Sequence, residues 1–595
     1  MSATAVASRR GPQALLALIA YTAAAFALFH LSWADPTARV IGRCCDSATY
    51  VDTFRMSGQA LLSGHNPLYG RLMHAPQGFN VMWQPNVMPL VGIVVTPLEA
   101  LFGPIVTYDL VLTMGLALSA WTCFLLLRHL VGGAWAPFVG GAVFGYSPVM
   151  TSHSEGHPQI SFAVLVPVLL GLLLEILTRS RMRPIVSGAL LGLAAAAQLL
   201  IGIELLVGTA IAAVVILAAL AIRFRHQIAE RAAHVAKRLG WALATFAVLA
   251  AAPLSEMLLG PQRIAGPIRD TRPNGTNLTT LLVPRPNLMA ISAGAATAGR
   301  HHLVAMPGNS ETVAYLGIPL LAALAAFVWW RRRDATVQVA AAATVVIAIL
   351  SFGYSLHVGT ADVPMWMPWR LFRLLPPLRS LAPSRLWLFV DLGVAVLVAS
   401  ALRQIGSIGI RRRRVVGSIG AAAILLTLLP TFRYPYWAPD IPSFFTTAGV
   451  DTVPPGSTVL VVPIARGGLA DAASQVWQAE SGLRFATVGG SVFVPNAHGA
   501  MALPGGDETD LTRPLDLMAL GTPPDRLPPL TPEIEDVDRT ELRALGVQAV
   551  VVGPMPDRAQ AVALVDALVG TQPRIVGGVD LWTGVPQSLA RVPGA

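Results

Sequence analysis

The chain has 595 residues, of which 54% are hydrophobic and only 12% charged, with a mean hydropathy of +0.60. That balance excludes an ordinary soluble globular protein and indicates an integral membrane protein. The formal net charge of +10 does not point to nucleic acid, because the arginines fall in short clusters between apolar runs rather than on one basic face.

A helix needs about 20 apolar residues to cross the hydrocarbon. Runs of this kind predict eleven spans, at 14–34, 105–127, 134–150, 160–178, 185–201, 203–222, 239–259, 312–330, 336–353, 384–402 and 415–431. The first run follows "SRR" and lacks a small-residue cleavage site, so it reads as a retained span. Basic stretches at 8–10, 128–130, 179–183, 223–238, 331–334 and 403–414 are placed together on the cytoplasmic side by the positive-inside rule. With an odd number of spans, the N-terminus is then cytoplasmic and the C-terminal domain extracytoplasmic; the single lysine, Lys237, against 41 arginines indicates a GC-rich bacterial genome, and so a bacterial plasma membrane. The segment "VMPLVGIVVTPLEALF", 87–102, is short and holds two prolines and Glu99, so it is assigned to the outer interface rather than to a span.

The outer loops are then 35–104, 151–159, 260–311 and 354–383. Residues 1–436 form the membrane part and 437–595 a soluble domain. In that domain "STVLVVPI" and "VQAVVVGPM" read as strands and "DRAQAVALVDALV" as a helix, before the closing "RIVGGVDLWTGV". The expected fold class is a polytopic α-helical membrane protein with a C-terminal α/β domain. Cys44 and Cys45 are adjacent and Cys123 lies in a span, which supports neither a disulfide framework nor a zinc site.

Most of the informative polar residues fall on the outer side. Asp46 lies about a dozen residues beyond the first span and Asp52 six residues later. Either can serve as a general base or be a solvated loop aspartate. The loop "HSEGHPQ" carries His153, Glu155 and His157, three ionisable groups where a connection needs only to be short and polar. Glu155 and His157 are conceivable metal ligands, for Mg or Mn, but the spacing matches no specific metal motif. Gln198 and Glu204, in "AAQLLIGIELL", lie near the outer end of two closely joined spans, where an ionisable group either faces a cavity or sits in water at a short turn.

In "MWMPWRLFRLLPPLRSLAPSRLWLF", Arg370, Arg373, Arg379 and Arg385 stand outside against the charge rule, beside Trp366, Trp369 and Trp387. Guanidinium groups at headgroup level can grip a lipid phosphate through bidentate hydrogen bonds. For Arg370 and Arg373 the favoured reading is interfacial anchoring with an aromatic belt, whereas Arg379 and Arg385, next to prolines and leading into a span, are the phosphate candidates.

The order of these features resembles the GT-C superfamily of membrane glycosyltransferases: a first span, a long outer loop with an early aspartate, the Pro-bounded "QPNVMPLVGIVVTPLEALFG", a span ending in "LLLRHLVGG" and a next one ending in "FGYSP". "FGYSPVMTSHSEGHPQ", "AAQLLIGIE", "PPLRSLAPSRLWLF" and "WQAESGLRFATVGGSVFVP" look like a bacterial, often actinobacterial, group with a C-terminal outer domain. The resemblance covers most of the membrane part, through architecture more than identity. It implies an enzyme that moves a sugar, mannose or arabinose in class, from a polyprenyl-phosphate donor to a cell-envelope glycan, lipid or protein on the outer face. It also implies an acidic base in the first outer loop. Asp46 occupies that place, followed by Ser47 where the family often has a second acid. Some members bind a divalent cation through acidic residues of the first two outer loops, a place Glu155 matches, and many need none.

Under this reading Arg379 and Arg385 hold the departing phosphate, and His153, Glu155 and His157 face sugar hydroxyls or phosphate. Two other classes stay open at this point. A flippase or transporter of lipid-linked saccharide predicts inverted repeats and charges at the bilayer centre, and a non-catalytic envelope assembly factor predicts neither.

Overall fold

A computed structural model describes residues 10–43, 45–178, 182–268, 271–284, 313–375, 378–468, 470–496, 498–501 and 506–590. Among them, seven helices are long and apolar enough to cross a membrane: Gly11–Leu28, Pro104–Leu130, Pro158–Thr178, Pro184–Ile201, Ile203–Arg225, Glu230–Leu259 and Pro383–Gly406. The chain is a multi-pass membrane protein. The four other expected spans, 134–150, 312–330, 336–353 and 415–431, fall on shorter helices of 11, 13, 17 and 16 residues: Trp135–Gly145, Ile318–Trp330, Ala335–Ser351 and Arg411–Leu426. At 1.5 Å per residue even the longest of these is shorter than a hydrocarbon core of about 30 Å. The segment assigned to the interface forms the helix Pro89–Phe102, with Pro97 inside it.

By contacts the chain forms two compact units. The first comprises Met1–Ala34, Leu110–Ala251 and Arg269–Pro435, and the second Asp35–Asp109, Ala252–Ile268 and Tyr436–Ala595. The expected division at 436/437 runs along the chain. The grouping by contacts instead puts the first outer loop with the C-terminal segment.

In the first unit the helices are almost purely apolar, so small residues set how closely they pack. A Cβ on Gly188 would lie 2.4 Å from the Arg238 carbonyl oxygen, and one on Gly192 2.4 Å from that of Ala242, so Pro184–Ile201 meets Glu230–Leu259 backbone to backbone. The two stretches Ile203–Arg225 and Glu230–Leu259 run on as one 57-residue helix whose regularity fails at Phe224 (φ −130°, ψ 33°). Among the described residues the opening stretch of the second outer loop is not an irregular turn but two short helices, Pro148–His153 and Pro158–Ser161. Ser147 caps the first by accepting from the Met150 N–H at 3.3 Å.

In the second unit the C-terminal segment folds as expected into an α/β layer. Its five-stranded sheet has the order Arg574–Val576, Val579–Thr583, Val547–Val552, Thr458–Val462, Ala486–Thr487. The strands Thr458–Val462, Val547–Val552 and Ala486–Thr487 are parallel, and the last two strands of the chain add on antiparallel. "TVLVV" and "VQAVVV" are runs of β-branched residues buried on both faces, as a central parallel strand requires. Arg558–Val569 covers one face, over Leu460, Val462, Val550 and Val552. Phe445, Trp477 and Phe485 cover the other, over Val459, Val461 and Val551.

The first outer loop completes this unit. Its helices Asp46–Leu62 and Pro89–Phe102 pack so closely that a Cβ on Gly92 would lie 2.7 Å from the Phe54 carbonyl oxygen. The Thr487 N–H donates to the Leu72 carbonyl and the Ala75 N–H to the Thr487 carbonyl, each at 2.9 Å, so the loop extends the edge strand of the sheet. Gln84 exchanges two hydrogen bonds of 2.7 Å with the Phe493 backbone, and Met73, Phe79 and Val81 share a core with Leu483, Val492 and Val494. Val40 and Ile41 pair antiparallel with Trp437 and Tyr436.

Candidate functional site

In the second unit, Asp46 is the first residue of the helix Asp46–Leu62 and is partly exposed. The residue before it, Cys45, has φ +81°, a left-handed conformation that turns the chain sharply into the helix. A carboxylate on the first turn also lies where the helix dipole favours negative charge, and Asp46 is partly open to solvent. The neighbourhood is rich in acids. Asp109 accepts the Ile41 N–H at 2.8 Å, and the Tyr108 phenol lies within electrostatic reach of both Asp46 and Asp109.

Asp52 has a different environment. It is only 1% exposed, and both its carboxyl oxygens lack a hydrogen-bond partner. Burial pushes its carboxyl well above the usual carboxylate range, an effect that Arg55 opposes and Glu99 reinforces. Burial likewise pushes Glu99 up to about 8, against the pull of Arg55. Arg55 is itself directed elsewhere, donating to the Ala479 carbonyl at 3.0 Å. A carboxyl so enclosed meets no acceptor hydroxyl, which leaves Asp46 the accessible one of these two candidate aspartates.

In the first unit, His153 and Glu155 are buried and His157 half-buried, so the ionisable loop faces inward rather than into open water. His153 Nδ1 is 2.9 Å from the Val149 carbonyl oxygen, and the two imidazoles stand edge to face with centroids 5.7 Å apart. The Tyr434 hydroxyl donates to the Thr151 carbonyl at 2.6 Å and ties the end of the last membrane helix region to this loop. Beneath it Asp391, 2% exposed, lies against Ser147 and Trp387.

Glu204 and Arg385, separate expectations from sequence, are brought together. The Arg385 guanidinium forms an ion pair with the Glu204 carboxylate, with side chains 3% and 12% exposed. Gln198 is fully buried and donates to the Gly202 carbonyl at 3.2 Å, bracing the break between Pro184–Ile201 and Ile203–Leu259. Arg379 is exposed, and its carbonyl accepts from the Thr271 hydroxyl at 3.0 Å. Arg370 donates from Nε to the Tyr354 carbonyl at 2.7 Å, which fits an anchoring role. The side chain of Arg373 lies outside the described residues.

No group of three or more His, Cys, Asp or Glu among the described residues is placed to hold a metal ion. The sequence reading passed over Glu99, Asp109, Tyr108 and Asp391. Their signal was present: each of the three acids interrupts an apolar run, where an ionisable side chain is costly and so marks a site or a partner.

No family model matches the chain, and no curated protein sequence matches it. Solved structures do resemble it. The arabinofuranosyltransferase AftD from Mycobacteria aligns over 96% of this chain with a TM-score of 0.51 and 16% identity. The chain spans 40% of that protein's length. The oligosaccharyltransferase of Archaeoglobus fulgidus aligns over 91% of this chain and 70% of its own, with a TM-score of 0.50 and 13% identity. ArnT from Cupriavidus metallidurans covers 96% of this chain and 98% of its own at a TM-score of 0.42 and 10% identity.

Proposed function

We propose, from the premise that this chain has the fold of the GT-C membrane glycosyltransferases, that it transfers a sugar from a polyprenyl-phosphate donor to a hydroxyl of a cell-envelope acceptor on the outer face of the membrane. Mannose and arabinose are the sugar classes favoured, and the acceptor is a glycan, a lipid or a protein. The observation that carries the reading is Asp46: a partly exposed carboxylate on the first turn of the first outer-loop helix, in a chain whose fold follows an arabinofuranosyltransferase over nearly its full length.

The chemistry needs two functions. A base takes the proton of the acceptor hydroxyl as its oxygen attacks the anomeric carbon, and positive charge receives the phosphate as the carbon–oxygen bond to it breaks. Asp46 is the base. The new glycosidic bond takes the acceptor oxygen, the proton rests on Asp46, and the prenyl phosphate leaves with the bonding pair. Arg379 is the cation for the phosphate, with Arg385 positioned beside it in sequence and held by Glu204. His153, Glu155 and His157 contact sugar hydroxyls. The cytoplasmic N-terminus and extracytoplasmic C-terminal domain belong to the same reading, since donor and acceptor meet outside.

The test is transfer from radiolabelled polyprenyl-phosphate mannose and arabinose by the purified full chain in liposomes. Transfer by the wild type that is lost in Asp46→Asn supports the reading. Movement of intact labelled donor across the bilayer without transfer would replace it with a flippase.

A further inference from the structure

At the opposite end of the first unit from the second outer loop, the long helix loses its regularity at Phe224, and two arginines, Arg223 and Arg231, lie near that point. The Arg223 guanidinium lies 5.0 Å from the centroid of the Phe224 ring, and its Nε donates to Gln338 Oε1 at 2.9 Å. Gln338 in turn donates to the Arg332 carbonyl at 2.7 Å. Arg231, about two turns beyond the irregularity, donates to the Thr178 carbonyl at 2.5 Å. Phe224 and Thr178 also belong to the wall of a cavity of about 260 Å³, whose interior is lined by side chains such as Leu174, Ile216, Val339 and Phe389.

An apolar cavity of this kind holds no ordered water, and its lining atoms lack dispersion partners on one side. The arginine stretches at its mouth are those that the positive-inside rule assigns to the cytoplasm. We infer that this cleft seats one acyl chain of an anionic phospholipid from the cytoplasmic leaflet, with the lipid phosphate held by Arg223 and Arg231. The juxtaposition carries the inference. Guanidinium groups bind phosphate oxygens by charge-assisted hydrogen bonds, and here two of them rest on Phe224 and Thr178, residues of the slot's wall.

Two other cavities among the described residues lack this pairing. The one of about 390 Å³ between Tyr21, Phe138 and Leu428 has no charged residue in its wall. The one of about 440 Å³ has a carboxylate in its wall, with His129 Nε2 3.9 Å from Glu175 Oε2, where a lipid phosphate would be repelled. This inference concerns a lipid in the inner leaflet and does not depend on the transfer reaction.

The experiment is native mass spectrometry of the purified full chain after incubation with mixed micelles containing dioleoylphosphatidylglycerol or dioleoylphosphatidylcholine. Arginines near an anionic lipid favour its binding, so the wild type should retain one phosphatidylglycerol with at least about tenfold preference over phosphatidylcholine. Ala343→Phe, which fills the cavity, should abolish that retained lipid, and the milder Ala340→Leu should weaken it. Arg223→Gln combined with Arg231→Gln leaves the slot intact and should remove the preference. Equal retention of the two lipids by the wild type, or wild-type retention of phosphatidylglycerol in Ala343→Phe, would overturn the proposal. If Ala343→Phe does not fold, the double arginine variant decides it: an unchanged preference is the refuting result.

Discussion

The Arg385 guanidinium and the Glu204 carboxylate are paired inside the first unit, almost out of reach of solvent. A buried pair of this kind is costly to break, because removing one partner leaves the other charge uncompensated, by about 3–5 kcal/mol. Glu204→Ala should therefore lower the thermal unfolding midpoint of the detergent-solubilised protein markedly. Glu204→Gln with Arg385→Met should recover most of the loss. Similar midpoints for Glu204→Ala and the wild type would mean that the pair is not closed in solution.

Asp46→Asn should abolish sugar transfer while leaving the fold intact, since asparagine keeps the side chain's size but cannot take the acceptor's proton. Asp52→Asn should be nearly silent, because burial favours the protonated acid at that position and asparagine resembles it. Parallel kcat measurements on the two variants separate the roles. An inactive Asp52→Asn beside an active Asp46→Asn would reassign the base.

Glu99 provides a pH signature. Its carboxyl is raised from 4.5 to about 8 by burial, so the folded state holds the proton more tightly than the unfolded chain. The stability this confers is fully present below pH 4.5 and is lost as pH rises through about 8. Unfolding midpoints should accordingly fall across that interval. Glu99→Gln should lessen the slope, and adding Asp52→Asn should lessen it further. An unchanged slope in the double variant would show that other groups control it.

The close approach of Asp46–Leu62 and Pro89–Phe102 rests on Gly92, whose absent Cβ would meet backbone rather than a movable side chain. Gly92→Ala should destabilise the protein by about 1–3 kcal/mol through overpacking. Gly64, with open space around it but φ +71°, offers a contrast, since alanine there meets backbone strain without a clash. Chemical denaturation of the two variants checks the difference: loss of ellipticity at lower denaturant for Gly92→Ala, with the Asp46 helix the first element to lose amide protection.

Single cysteines placed in 223–238 and near the C-terminus should label from opposite sides of inverted and right-side-out vesicles. The expectation follows from grouping the basic stretches on one side with Pro89–Phe102 not crossing. Labelling of both from the same side would change the number of crossings.

Much of the membrane part could be read from hydropathy, because an apolar run of about 20 residues has few alternatives in a bilayer. The central strands were equally plain: "TVLVV" and "VQAVVV" are too short for helices and carry the β-branched residues that suit a sheet buried on both faces. Side-chain pairing was not legible. Nothing in the spacing of Glu204 and Arg385 indicates that they meet, since they are joined by helix packing and not by a local pattern. Asp46 and Asp52 are also alike in sequence, six residues apart on one helix, and only packing against Pro89–Phe102 makes one reachable and encloses the other. The helix boundaries at 134–150 and 312–330 were overestimated because hydropathy does not register where proline and glycine stop a helix.

The partners of the Asp46 helix come from the far end of the polypeptide. Thr49 donates to Gln475 across 426 positions, and Gln84 reaches Phe493 across 409. At about 5–20 residues per second, a ribosome takes about 20–85 s to produce the second partner after the first has emerged. During that interval the segment bearing the proposed base has neither its core nor its edge-strand partner, and it stays assembled with neither. Synthesis of residues 475–494 is thus the event that makes the first outer loop competent. A chain stopped anywhere before Val494 would insert its spans yet carry an Asp46 with no fixed place.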